Sequence, residues 1–457
     1  MTDHDLEQRL RAWYRTDIDE RESAPQQLRA DLATLTQTAG SSRGPLTTRW
    51  RSPRLSRFAP IGLAATVVAA AILIGIGLIV RSLNIGPPSV PIATPFPTTN
   101  AQNGRIAVSA NPKDVGGGEV GDIYLVAEGA AARRIIGSDG DGVAEACPRF
   151  SPDGRRLAYG EARASAQPVS TFRGVWPVSD RAVVVVGLND QGDPSPAIMH
   201  VTAGADAGPI PCPEWSPNGR YVAFRVGPEL WIADTASGET RVVPIIPEAG
   251  WEQNDLEWSR DGSLIAVSEP GQIRVVRMDG GPSTLIPVKG ATPGSLGWTA
   301  GDDRIIYISS EDPPLGNRRP VNVVRVDGNN DTQLTPESAD PLVQFYSDDA
   351  VVSPDGTRVA YVQVAYRCDN NGCSSDSPGR LLTMGTAGSN VVELPIPPGY
   401  GVSGLQWSPD GERLLFGSID GVVSVAVALG SPAIVYSRGE LNLEWSASEI
   451  TWQPVYP

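Results

Sequence analysis

A chain of 457 residues exceeds one ordinary domain, so more than one structural unit must be accounted for. Its net charge of −15 argues against nucleic acid or anionic lipid as a partner of the acidic part. Two histidines, His4 and His200, are too few for a His-rich zinc or copper site, and they leave little scope for Ser-His hydrolysis.

In residues 1–58, Leu6, Leu10 and Trp13 fall at helical spacing, as do Leu28, Leu32 and Leu35 after Pro25. Two short amphipathic helices are predicted, joined by the acidic stretch DIDERES. Their apolar faces are too small to bury themselves, which makes a cytosolic protein a candidate partner. A G-x-S-x-G match at Gly40–Gly44 has no strand before it and is read as chance.

Residues 59–81 are predicted to be a single transmembrane helix, because Ile61 to Val80 is an uncharged run of bilayer-spanning length. Its eleven Ile, Leu and Val residues favour insertion by roughly 3 to 6 kcal/mol. Arg43, Arg49, Arg51, Arg54 and Arg57 precede the span and only Arg81 follows closely, which places the N-terminus in the cytoplasm. Residues 82–102 contain GPPSVPIATPFPTT, expected to be an extended Pro-rich stalk. Arginine outnumbers lysine, of which only Lys113 and Lys289 occur, and this bias fits a high-GC bacterial genome. By position, residues 1–58 resemble the cytoplasmic domains of bacterial anti-sigma factors, without the His-x3-Cys-x2-Cys motif of the zinc-binding kind. That resemblance implies a sigma factor as the cytosolic partner.

From residue 103 onward one pattern recurs. It reads FSPDGRRLAYG from Phe150, WSPNGRYVAFR from Trp215, WSRDGSLIAVS from Trp258, WTAGDDRIIYI from Trp298, VSPDGTRVAYV from Val352 and WSPDGERLLFG from Trp407. The seventh copy is split, with Trp452, Gln453 and Pro454 near one end and NGRIAVS at Asn103–Ser109. Each copy joins a large apolar residue to a four-residue turn and an alternating strand. Further strand signals follow, such as DIYLV, AIMHV, ELWIA and QIRVV, and VVVVG at Val183 is an extra candidate. Leading positions are 40 to 65 residues apart, a mean of about 50, which fits one propeller blade with insertions. The fold class is therefore all-β, a seven-bladed propeller of four-stranded antiparallel blades closed by both ends of residues 103–457, with six blades as the alternative count.

These W-S-P-D-G turns resemble those of the TolB-type, WD-repeat-like β-propellers. The resemblance covers about residues 103–457 and implies that Phe150, Trp215, Trp258, Trp298, Trp407 and Trp452 pack between blades. It also implies that the positions three residues before the aromatic circle one mouth of the central channel. Those positions hold Asp255, Asp349 and Glu449, with Glu214 and Glu257 two positions further along, an acidic rim able to take a cation or a basic peptide. Cys147 and Cys212 occupy the same offset in consecutive blades, so the resemblance makes them a candidate disulfide.

Cys368 and Cys373 flank a short Asp-Asn-Asn-Gly loop and are candidates for a local bridge, in an external compartment where disulfides persist. Asp327, Asn329 and Asp331 have the D-x-N-x-D spacing of a calcium loop, but Thr332 and Ser338 stand where an EF-hand needs Gly and Glu. A hairpin turn is the better expectation there. No catalytic residue, metal or cofactor is assigned. The expected protein is a membrane-anchored, extracytoplasmic propeller that binds an envelope protein, peptide or glycan and no nucleic acid. Its alternatives are a transmembrane anti-sigma-like regulator and an envelope enzyme working at the channel mouth.

Overall fold

The computed structural model describes residues 101–112, 121–128, 130–138, 142–164, 178–204, 210–246, 255–290, 292–309, 319–340, 342–369, 372–375, 379–396, 402–418, 421–428, 434–438, 441–442 and 450–456. The predicted cytoplasmic segment, transmembrane helix and most of the stalk lie outside them, as does Glu449. The described residues form seven antiparallel sheets.

Blade 1 joins the two ends of the propeller sequence. Ile450–Val455 is its innermost strand, followed outward by Gln102–Pro112, Asp122–Val126 and Arg133–Ile136. Ile106 stands opposite Trp452 and Val108 opposite Ile450. The split repeat is thus reassembled as one sheet.

The next five blades each use consecutive strands. Blade 2 begins with Val143–Phe150, blade 3 with Glu214–Trp215, blade 4 with Leu256–Trp258, blade 5 with Pro293–Trp298 and blade 6 with Val343–Val352. Blade 7 follows the same plan from Ser403–Trp407. Blade 6 carries one additional short strand, Gly372–Ser375, paired with its second strand Arg358–Asp369. Contacts between the first strands of successive blades run in an unbroken circle, blade 7 touching Ile450–Val455 and that strand touching blade 2. The blade count is seven.

One expectation needs correcting. VVVVG at Val183 is the third strand of blade 2, Val178–Leu188, and AIMHV belongs to its outermost strand, Pro194–Thr202. The wide first interval between repeats is therefore filled by two long strands and an insertion within blade 2. His200 is exposed on that outer strand, far from the innermost one.

The repeat turn has one recurring set of bonds. Ser151, Ser216, Ser259, Ser353 and Ser408 are buried, and each hydroxyl donates to the Asp or Asn two residues on. The same hydroxyl accepts from the backbone N–H five residues on, at 2.9 to 3.0 Å. Such side-chain bonds to local backbone fix a turn that must sit inside a packed interface. The turn glycine is left-handed, with φ near +70° at Gly154. A Cβ there would lie 2.1 Å from the Pro454 carbonyl oxygen of the neighbouring blade, so glycine is required twice over.

Seven buried apolar clusters fill the spaces between adjacent blades, one at each interface of the ring. Both faces of a blade are covered, which is why the second and third strands read as nearly continuous apolar runs such as Tyr221–Val226. Burying each aromatic at these interfaces contributes on the order of 1.5 to 3 kcal/mol.

Candidate axial site

Each first strand presents the same series of positions to its neighbour. Phe150, Trp215, Trp258, Trp298, Trp407 and Trp452 are all buried. Four of the Trp indoles, those of Trp215, Trp258, Trp298 and Trp407, reach back to the preceding blade, where the carbonyl one residue before that blade's leading position accepts the bond. Trp215 donates to Arg149 O, Trp258 to Glu214 O, Trp298 to Glu257 O and Trp407 to Val351 O, at 3.0 to 3.2 Å. A buried indole N–H needs an acceptor, and this register supplies one.

For Trp215, Trp258 and Trp407 the ring face is covered from the preceding blade by the residue five after that blade's turn serine. Arg156 lies over Trp215 and Arg358 over Trp407, both 4.7 Å from the ring centroid. Tyr221 stacks on Trp258 with centroids 6.4 Å apart. Three side-chain types share one position because a guanidinium and a ring are both flat, and Leu264 packs into the cluster containing Trp298.

Three residues before the leading position, side chains join consecutive blades. Cys147 and Cys212 are disulfide-bonded with Cα atoms 5.2 Å apart. Asp255 accepts from Ser295 N at 3.1 Å through Oδ2, and Asp349 accepts from Leu405 N at the same distance. Ser295 and Cys147 both have positive φ, at the bulge that interrupts each first pairing. These carboxylates therefore hold the adjacent blade's backbone. Cys368 is also disulfide-bonded, and the residue directly across its hairpin is Cys373.

One residue before the leading position, the innermost strands set Arg149, Glu214 and Glu257 side by side from blades 2, 3 and 4. Arg149 Nε donates to Glu214 Oε1 at 2.8 Å. No side-chain hydrogen bond reaches the Glu257 carboxyl among the described residues. Burial pushes its pKa up to about 8, and the Glu214 and Asp255 carboxylates add to the rise against the opposing pull of Arg149 and Arg260. The Glu257 carboxyl is therefore held toward its protonated form beside the Arg149–Glu214 ion pair. Such a group can release its proton when a cation arrives.

At the opposite end of these strands, Arg260 spans two blades, its guanidinium donating to the Pro354 carbonyl. Asp302 occupies the left-handed turn position that glycine fills elsewhere, with φ of +51°. Its carboxylate accepts from Arg260 N at 2.9 Å and Asp261 N at 3.0 Å. Burial raises the Asp302 pKa, and the two amide bonds oppose that rise.

Of the rim residues expected from sequence, Asp255, Asp349, Glu214 and Glu257 all lie on or beside the innermost strands. Their partners were not legible, and Arg149 was missed. The signal for it was its position, one residue before Phe150 as Glu214 is before Trp215. The Asp327, Asn329 and Asp331 segment is a hairpin turn. Asp327 accepts from Asn329 N, whereas Asp331 Oδ1 accepts from the Tyr307 hydroxyl at 2.7 Å. Among the described residues no group of three or more His, Cys, Asp or Glu side chains converges as a metal site.

The fold is a seven-bladed β-propeller, and its repeat turns resemble those of WD-repeat-like propellers. The sequence profile of the WD domain, G-beta repeat family matches residues 392–425, which span the outer strand of blade 6 and most of blade 7. Among curated proteins no relative matches. Several solved structures do. A prolyl endopeptidase, from a study of two such enzymes, is 16% identical with a TM-score of 0.50, covering 76% of this chain and 50% of its own. TolB from Acinetobacter baumannii is 17% identical with a TM-score of 0.41, covering 77% of this chain and 66% of its own. An oligogalacturonate lyase in complex with manganese is 14% identical with a TM-score of 0.48, covering 74% of this chain and 86% of its own. Identities this low speak to the fold alone.

Proposed function

We propose that this chain is a membrane-tethered propeller that acts by binding rather than by catalysis, with residues 1–58 inside the cell and the propeller outside. The oxidised Cys147–Cys212 pair supports the external placement, since such bonds persist in oxidising compartments. The reading of a binding role is carried by one observation, the axial Glu257 carboxyl, which no side-chain hydrogen bond reaches among the described residues, beside the Arg149–Glu214 pair. A positively charged group entering from the channel mouth, such as a lysine of a partner's basic segment, would displace the Glu257 proton and pair with the carboxylate. The acidic chain favours that sign of ligand over long range.

The test is calorimetry on the full-length protein with hexalysine as the basic-peptide probe, in buffers of different ionisation enthalpy at neutral pH. Binding should release close to one proton, and Glu257→Gln should abolish that release. Hexalysine binding with no proton release, or no binding, would remove Glu257 as the site. Protease accessibility in intact and opened cells tests the orientation, and a propeller cleaved only after opening would reverse it.

A further inference from the structure

We infer that the axial channel is blind, closed at its turn end by Arg260, so that a basic segment reaches Glu257 only through the opposite mouth, beside the Cys147–Cys212 bridge. The sign of the ligand rests on the axial reading proposed for Glu257, whereas the closure rests on contacts of its own.

Arg260 breaks the repeat at one position. Two residues after the leading position, five of the seven blades carry proline, as at Pro217, Pro354 and Pro409, while blade 5 carries Ala300 and blade 4 carries Arg260. The Arg260 side chain leaves its own turn, passes blade 5 and donates to the Pro354 carbonyl of blade 6. Blades of a ring lie closest together at the axis, so a bond that skips a blade runs on the axial side. Blade 5 fixes the base of this bridge. The Asp302 carboxylate accepts from Arg260 N and Asp261 N, and Ala300 N donates to Gly356 O of blade 6 at 2.9 Å. The turns of blades 4, 5 and 6 are thereby tied into one unit over the end of the channel.

Other turns are joined to their neighbours as well. Arg156 donates to Gly219 O at 2.6 Å, Arg358 to Gly411 O at 2.7 Å, Asn103 Nδ2 to Asp410 Oδ2 at 2.8 Å and Gln453 Nε2 to Gly154 O at 2.6 Å. A face tied in this way has little freedom to part. At the other end, Cys147–Cys212, Asp255 with Ser295 N and Asp349 with Leu405 N join adjacent blades in pairs. Asp255, Ser295, Asp349 and Gly404 stay partly exposed there, and Ser403 is exposed.

Charge acts in the same direction as the bridge. Arg260 also pulls on the Glu257 carboxyl, so a lysine approaching from the turn end meets a like charge first. One approaching from the other mouth meets Asp255 and Asp349. Two strand residues separate the Asp255 position from Glu257, about 7 Å of strand rise, a depth that an extended lysine side chain covers. The geometry therefore suits one lysine side chain dipping in from a segment laid across the mouth, not a peptide threaded through the ring.

Adding charge at each mouth of the full-length protein tests this, with hexalysine association followed by stopped flow at low salt. Ser403→Arg puts a cation at the start of the first strand of blade 7, and Pro409→Arg puts one in the turn that follows, copying what blade 4 carries. Ser403→Arg should slow association about tenfold, and Pro409→Arg should change it by less than about twofold. In an Arg260→Ala background Pro409→Arg should slow association as well, since the turn end is then open. The closure is overturned if Pro409→Arg alone slows association as much as Ser403→Arg, if neither does, or if Arg260→Ala leaves the Pro409→Arg result unchanged. Hexalysine that fails to bind would remove the axial lysine reading but not the closure. The same variants are then read through Glu257→Cys, by its rate of modification with a cationic methanethiosulfonate ethylammonium reagent, since among the described residues no cysteine is free. The same pattern of rates supports a blind channel, and any other pattern overturns it.

Discussion

Glu257 shows how one side chain ties the stability of the ring to pH. Its folded pKa of about 8 stands above the ordinary 4.5, so the folded state holds a proton that the unfolded chain releases. Stability associated with the neutral acid is full below the unfolded value and is lost as pH rises through the folded one. Replacing Glu257 with Gln removes the titration and keeps the shape. Thermal unfolding should be nearly unchanged at about pH 4, whereas at about pH 9 the Gln variant should be more stable, by up to roughly 2 to 4 kcal/mol. Equal melting temperatures at both pH values would mean the carboxyl is solvated in the channel. The direction follows from burial plus a like-charged neighbour, and sequence alone shows neither. What was legible there was the alternation that puts Glu214 and Glu257 on first strands. The Arg149–Glu214 pairing depends on the spacing between blades, which the sequence does not show.

At the scale of the strand, the position three residues before each aromatic explains why sequence reading stopped short. Its occupants, Cys147, Cys212, Asp255, Ser295, Asp349 and Gly404, share no chemistry, so as a set they resemble a loose acidic rim. In the folded ring Cys147, Ser295, Asp349 and Gly404 sit at the bulge between the first and second strands of their blades, and Cys212 and Asp255 lie just before their first strands. A disulfide joins blades 2 and 3 there, and a carboxylate capping a backbone N–H joins blades 4 and 5 and again blades 6 and 7. The aromatic and its turn were legible because each requires a fixed residue type. The residue covering each tryptophan was not, since Arg156, Tyr221, Leu264 and Arg358 meet the same need differently. The disulfide spans 65 residues, and closing a loop of that length restricts the unfolded chain by roughly 4 kcal/mol. Cys147→Ala with Cys212→Ala should therefore lower unfolding stability by about 3 to 4 kcal/mol in denaturant titration. A loss of under about 1 kcal/mol would assign the restraint to apolar packing between blades 2 and 3 instead.

A ring made from one chain has one seam where neighbouring strands are not consecutive in sequence, and here it runs through blade 1. Three kinds of contact close it. Ile450–Val455 pairs with Gln102–Pro112, Gln453 accepts from Arg105 N and donates to Gly154 O at 2.6 Å, and Trp452 fills the interface with blade 7. Trp452 accepts an edge contact from Tyr436 at 6.3 Å and donates its indole N–H to Gly104 O within its own blade. Trp215, Trp258, Trp298 and Trp407 donate across a blade boundary, so Trp452 is the leading tryptophan whose bond holds the seam itself. Trp258 is a suitable comparison, equally buried but in a blade whose strands follow one another along the chain. Trp→Ala at either position should cost on the order of 3 to 5 kcal/mol of packing. Hydrogen exchange separates their effects. Trp452→Ala should expose the amides of residues 102–109 through a local opening, because blade 1 then loses its latch while the other interfaces persist. Trp258→Ala should lower global stability without selective exchange at 102–109. Uniform loss of protection in both variants would show that the propeller unfolds as a single unit and that its seam is no weaker than any other interface.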